Sequence, residues 1–471
     1  MCIFLHFCIG LASAQTIHDS KDGDLQSLFQ NGIAKYIISF HHAFEDTLHL
    51  PADCELAFDG GSLSGPIVMN NTRLSGQVNM KGASLSGSIS NSLFDASWLC
   101  AMDGVTDDAT RINEMIDVCR KVFFPKGTYR LISHYNPEGK VQKKLHKAIR
   151  THIGICKSDV ELIGEEGTNF VTDDSLSTIC LFSKPKQIAE SIRNIKIKNI
   201  AFTVHNDGVN FHEFLHTIKA IGVNGLEIEG CTFNDFWGDA ICLSHYGDNP
   251  RTGERTLNQN VKIEGNTING DSHNNRNGIS VISGKNVLIK NNTIKNTSRK
   301  DMPGGIDVEP NNSAYTIQNI RIENNYLEGI FGHAIKFHIK KEASAHHIEI
   351  LSNEIKNCSK SGINVTIWTH NTADSIVIKN NHVHADTRPY LFKGNGKSKD
   401  WIISDNFFEL PILQSIPGDI QVENLKVTNN KKKGLIEFLI FYHLLWPSLL
   451  LIIAAIMIFA YCKFRNSVIT K

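Results

Sequence analysis

VLIKNNTI from Val287, IRIENNYL from Ile320, IEILSNEI from Ile348 and IVIKNNHV from Ile376 are four copies of one pattern, apolar-x-apolar-x-x-Asn-x-apolar. Looser copies start at Val160, Ile195, Leu226, Val261, Trp401 and Leu425, so successive copies lie 35, 31, 35, 26, 33, 28, 28, 25 and 24 residues apart. Alternation over a short segment is a strand signal, and the Asn suits a turn that tolerates left-handed backbone. No copy carries the 3.6-residue stripe of a helical repeat. Stacking one strand of each unit on the next gives a parallel β-solenoid, with about 4.8 Å between neighbours. The recurring Asn then forms an internal ladder, each amide bonding the one above. Composition agrees, since 34 of the 43 Asn fall between residues 194 and 430.

Each unit has a second strand: DAICL, NGISV, GGIDV, HAIKF and SGINV. Their first apolar residues, Ile241, Ile279, Ile306, Ile335 and Ile363, sit 10 to 14 residues after the ladder position, which Cys231 fills in the first of these units. This predicts a second sheet along the solenoid. Upstream, an 11-residue repeat sets Leu63, Leu74 and Leu85, then Gly65, Gly76 and Gly87, at equal spacing. One anchor and one tight-turn Gly per unit fit a small stack of short strands ahead of the main body. DDATRINEMIDVCRKV from Asp108 is not repetitive: it puts Ile112, Met115, Ile116 and Cys119 on one helical face, with Asp108 as N-cap. Such a helix would cover the open edge of the solenoid.

The chain has 471 residues, 52.5 kDa, and 48 basic against 48 acidic side chains. That balance argues against nucleic acid as a partner, which calls for a basic excess on the gripping domain. At 41% hydrophobic and 20% charged the chain is not disordered. Its 11 Cys form no CxxC or zinc spacing, and the eight between residues 15 and 443 read as small core residues. An apolar run from Cys2 to Leu11 leads into Ala12-Ser13-Ala14, a small-residue cleavage pattern, so residues 1–14 read as a weak signal peptide. Leu444 to Cys462 holds 19 uncharged residues, enough for a helix to cross a hydrocarbon core of about 30 Å. Basic residues flank it on both sides, and a cleaved signal would leave the body outside and the tail in the cytoplasm. The expected organisation is signal 1–14, N-terminal segment 15–99, β-solenoid 100–430, basic linker 431–443, transmembrane helix 444–462 and basic tail 463–471. It describes an exported, single-pass membrane-anchored protein of all-β class, at the cell surface or facing the periplasm, for which a homotrimer stays open.

The stretch MDGVTDDATRINEMID followed by VFFPKGTYRL resembles the opening motif of the pectate-lyase superfamily. The resemblance rests on Asp103-Gly104, Asp107-Asp108, a capping helix, then Phe124-Pro125-x-Gly127-x-Tyr129, with DVELIGEEGT from Asp159 resembling the first coil. It implies a right-handed parallel β-helix over residues 100–430 and, as partner, an acidic or neutral polysaccharide. Such proteins are mostly secreted enzymes, with tailspikes, epimerases and adhesins among them.

Alternation also sorts side chains by face. If Ile306 and Val308 point inward, Asp307 and Glu309 point outward, with Lys336 and His338 beside them in the next coil. Ser280 and Ile282 precede them in the same columns; Asn364 and Thr366 follow. Arg276 and His333 lie just before their strands, and Asp239 and His245 flank an earlier one. Two carboxylates at i and i+2 suit glycoside hydrolysis, with Asp307 as base and Glu309 as acid or the roles exchanged. A lyase would instead use Lys336, His338 or Arg276 as base, and its acidic pair would hold Ca²⁺. Otherwise the pattern requires no metal and no cofactor. Arg276, Asp239, His333 and His245 are the substrate-binding candidates. The bland alternative is a ladder of cross-strand ion pairs on a carbohydrate-binding or adhesive surface. Gly238-Asp239-Ala240 and Gly332-His333-Ala334 resemble polygalacturonase motifs, but one Asp and one Gly are missing and the two lie three coils apart, so that mechanism is not carried over.

Overall fold

The computed structural model describes residues 14–17, 25–29, 33–135, 150–182, 192–245, 257–271, 274–299, 302, 304–313, 315–340, 342–385, 387–409 and 420–433. The expected signal (all but Ala14), most of the basic linker, the expected span and the tail lie outside these residues. Among the described residues no helix is long and apolar enough to cross a membrane.

From Phe94 onward the chain winds through three parallel sheets of fourteen, twelve and nine strands. In the fourteen-stranded sheet Val261, Val287, Ile320, Ile348 and Ile376 are successive partners. In the nine-stranded sheet Ile241, Ile279, Ile306, Ile335 and Ile363 are successive partners, so both predicted strands stack in the predicted register. The twelve-stranded sheet was hidden inside the motif. Its strands Thr293–Lys295, Tyr326–Glu328 and Glu354–Cys358 begin at the motif's seventh residue. The eight-residue unit is therefore a strand, a corner and the start of another strand.

At that corner two jobs fall to two residues. The fifth takes left-handed backbone: Asn291 (φ 55°), Asn324 (53°), Ser352 (52°) and Asn380 (57°). The sixth, expected to do this as well, turns inward instead. Nδ2 of Asn266 donates to Oδ1 of Asn292 at 2.9 Å, and the bond repeats through Asn325, Asn353, Asn381, Asn406 and Asn430 at 2.9 to 3.0 Å. Each amide has further partners. Asn325 Nδ2 also donates to the Ile289 carbonyl, and its Oδ1 accepts the backbone N–H of Asn292. Full pairing is what makes a buried amide column tolerable, since an unpaired one costs about 1–3 kcal/mol per group. Inside the coil, isoleucine and valine columns fill the three-sided core; Phe170 meets Phe202 edge to face at 5.7 Å, and Phe202 stacks on Phe233 at 5.2 Å.

The N-terminal segment is also a stack of short parallel strands, but 11 residues is not its stacking period. Lys35 pairs with Glu55 and Glu55 with Arg73; Leu48 pairs with Ile67 and Ile67 with Leu85. Each step is 18 to 20 residues, so a coil there spans nearly two repeats. Gly76 (φ 77°), at the end of the Pro66–Gly76 strand, and Gly87 (φ 89°), within Ser84–Ile89, have to be glycine: a Cβ would sit 2.1 Å from the Phe58 carbonyl oxygen and 1.9 Å from that of Met69.

The predicted helix spans Ala109–Val118 and buries Ile112, Met115 and Ile116, while Cys119 is only half-buried. Asp108 stands at the N-cap position without capping; its carboxylate accepts from the N–H groups of Ala101 and Met102, and Asp107 accepts from Ala109. The helix covers the first strand of the nine-stranded sheet. Asn113 donates to the His152 carbonyl and accepts from the Gly154 N–H, pairing an edge that would otherwise lie open. Among the described residues no disulfide forms, and six of the eight cysteines there are buried.

Candidate functional site

The nine-stranded sheet places the chemistry. In its Gly304–Val308 strand Asp307 is flanked by Ser280 on one side and Lys336 on the other; one coil further, Asn364 follows Lys336 and Thr366 follows His338. These are the predicted columns. The pair faces outward from the core yet is covered: Asp307 is fully buried and Glu309 is 9% exposed.

Arg276, on the turn into the preceding strand, lies at the centre. Its NH1 bonds Asp239 at 3.1 Å, and its NH2 lies 4.0 Å from Asp307 Oδ2 and 3.7 Å from Glu309 Oε2. Because both acids approach one nitrogen, those two oxygens are separated by no more than the sum of the two distances. Asp239, fully buried, also accepts the Asn277 N–H at 3.2 Å and has His216 Nδ1 at 3.2 Å from Oδ2. Asp239 therefore anchors Arg276 rather than facing a ligand.

The environments of the two acids differ. Glu309 Oε1 receives the Lys340 ammonium at 2.7 Å and has His338 Nδ1 at 3.4 Å. Asp307 has no hydrogen bond to either oxygen among the described residues. Burial, reinforced by the charge of Glu309, pushes the Asp307 carboxyl up despite Lys336 and Arg276. Burial also opposes ionisation of Glu309, but His338 and Lys340 outweigh it and hold that carboxyl down. The expected influence of Lys336 on Asp307 is thus overridden, and the exchanged pairing, Asp307 protonated and Glu309 ionised, is the one these surroundings favour.

Of the other candidates, His333 bonds Ser361 Oγ through Nδ1 at 2.6 Å, and burial pushes it down to about 3, so it is neutral. His245 packs its ring on Tyr315, centroids 4.6 Å apart, and is not among the groups around Arg276. Register alone did not reveal His216, Lys340 or Trp368. Lys340 continues the outward series 336, 338, 340, and Trp368 follows Asn364 and Thr366 one coil on, so the alternation held both. His216 lies on an irregular turn with no such signal.

His216, Asp239 and Cys242 form the one close group of metal-type donors among the described residues. They fit a cation poorly. Arg276 already neutralises Asp239, the His216 Nδ1 accepts the Asp239 N–H at 3.1 Å, and burial pushes the Cys242 thiol up. Ca²⁺ on the acidic pair would compete with the guanidinium and ammonium groups already there.

Residues 216–408 match the family model of the right handed beta helix region. No curated protein matches the chain. Among solved structures, a surface adhesin of Streptococcus pneumoniae, PfbA, is 14% identical, with 73% of this chain and 93% of that one covered and a TM-score of 0.44. The DFA-IIIase of Arthrobacter chlorophenolicus A6 is 11% identical, with 72% and 93% covered and a TM-score of 0.41. The A-module of the mannuronan C-5 epimerase AlgE4 of Azotobacter vinelandii is 14% identical, with 72% and 95% covered and a TM-score of 0.39. At these levels each is a likeness of architecture. With its three parallel sheets and the match of residues 216–408 to the right handed beta helix region, the chain has a parallel β-helix fold.

Proposed function

We propose that the protein cleaves a polysaccharide laid along the outward face of the nine-stranded sheet, by hydrolysis with Asp307 as acid and Glu309 as base. The observation that carries this is the split pair: a buried, unbonded carboxyl beside an ionised one, both facing Arg276. The Asp307 proton passes to the leaving glycosidic oxygen as that bond breaks. Glu309 takes a proton from the water that adds to the sugar, so one water is consumed per bond. The limit on the oxygen separation admits the lower part of the roughly 6.5–9.5 Å used by inverting enzymes and the roughly 5–5.5 Å of retaining ones, so the anomer of the first product decides between them. Under the same reading the protein is exported and held at the cell surface by residues 444–462.

The burial of Asp307 also suits a second reading, a noncatalytic carbohydrate-binding or adhesive surface whose charge network is structural. The test is a panel of plant, algal and host polysaccharides, read for new reducing ends and for the ultraviolet absorbance of unsaturated uronates. Hydrolysis gives reducing ends alone, and Asp307→Asn and Glu309→Gln each lower the rate at least about 10²-fold, the range of one proton-transfer group. Reducing ends with absorbance would mean elimination and direct attention to Lys336. Binding without turnover, little altered by Asp307→Asn, would replace the enzyme with the binder.

A further inference from the structure

We propose that Trp368 is a positioning residue for the acidic pair, fixing His338 in the tautomer that carries its proton on Nδ1, the ring nitrogen nearer Glu309. Only the catalytic consequence rests on the hydrolase reading; the tautomer does not.

An indole nitrogen is a donor and never an acceptor. Nε1 of Trp368 lies 3.1 Å from Nε2 of His338, so Nε2 must supply the lone pair, and the proton of the neutral ring is then on Nδ1. Nδ1 in turn lies 3.4 Å from Oε1 of Glu309, within ion-pair reach but without hydrogen-bond geometry. The geometry follows from the coil. His338 pairs with Thr366 in the next strand, and Trp368, two residues further on, reaches back over the imidazole from the rim, where it is 42% exposed. The ammonium of Lys393 lies 5.6 Å over the indole ring on the far coil.

The charged and titratable groups around His338 are Glu309 from the preceding coil and Lys336, Lys340 and His333 from its own segment. Burial and the two lysines oppose a second proton on the ring, and Glu309 favours one. The indole N–H adds to the opposition, because an imidazolium would set N–H against N–H. The consequence is specific. The only lone pair of His338 is engaged by Trp368, so His338 cannot be the base of an elimination. What it offers Glu309 is an N–H dipole, which keeps that carboxylate ionised without donating a full proton.

The test uses the full chain with ¹⁵N-labelled histidine and long-range ¹H–¹⁵N spectra, His338 being identified by the signal lost in His338→Gln. Wild type is expected to show Nδ1 protonated and Nε2 bare through the neutral pH range. In Trp368→Phe, His338 is expected to move to the Nε2–H form that free imidazole prefers, or to titrate at a proton concentration at least about tenfold lower. A protonated Nε2 in neutral wild type overturns the proposal, and so does a folded Trp368→Phe with an unchanged signal. The wild-type spectrum decides even if that variant fails to fold. No substrate is involved, so a protein inactive on every polymer would leave the tautomer standing, and a wrong tautomer would leave the hydrolase reading standing.

Discussion

Asp307 is the residue on which most depends. A carboxyl held up by burial contributes stability that is complete below the carboxylate's unfolded pKa and is lost as pH rises through the folded one. Asp307→Asn removes that loss. The variant is therefore expected to be more stable than wild type at alkaline pH, by about 1–3 kcal/mol, with the gap closing as the solution is acidified. Denaturant titrations at several pH values check it; a gap that widens toward acid would mean Asp307 is ionised in the fold. Glu309→Gln is expected to behave oppositely. Its carboxyl is held down, so wild-type stability is present above the unfolded pKa and lost as pH falls, and the substitution costs most at neutral pH. At this scale the sequence placed Asp307, Glu309, Lys336 and His338 correctly, because alternation in a strand is strict. It could not show which acid keeps its proton, since that depends on Lys340 reaching Glu309 and on no described donor hydrogen-bonding Asp307.

The corner that carries the Asn ladder is the element that fixes the fold. Asn353→Ala leaves the Ile322 carbonyl, the Asn325 N–H and the facing amides without partners, so the expected cost is about 3–5 kcal/mol, with faster amide exchange in the coils on either side. Asn430→Ala is expected to cost much less, because Asn430 is only half-buried in the last described coil. Equal costs for the two would show that the ladder is incidental to stability. In the N-terminal stack Gly87→Ala is expected to destabilise by several kcal/mol, since its Cβ would meet the Met69 oxygen at 1.9 Å and its backbone is left-handed. The ladder was legible because Asn recurs at a fixed place in every copy. The twelve-stranded sheet was not, because strands as short as three residues, such as Thr293–Lys295, have too little alternation to be told from the turn that feeds them.

Across the whole molecule each coil touches its neighbours alone, so unfolding is expected to start at an end and move inward. Amide exchange should be fast in Lys426–Thr428, which is exposed throughout, and slowest around Ile263 and Ile289 at mid-solenoid; uniform protection would contradict this. The ladder has a further consequence. It recurs once per turn whatever the turn's length, so contour length and axial length are decoupled. Turns of 24 and of 33 residues advance the axis by the same distance, about 4.8 Å, and the surplus chain is displaced sideways. Some of it emerges beside the nine-stranded sheet, between Val204 and Ile218 ahead of one strand and between Val308 and Thr316 just after the strand that carries Asp307. The molecule is a comb whose teeth keep their spacing while their tips are free to lengthen, so what hangs over the groove can be rebuilt one tooth at a time with the others left in place.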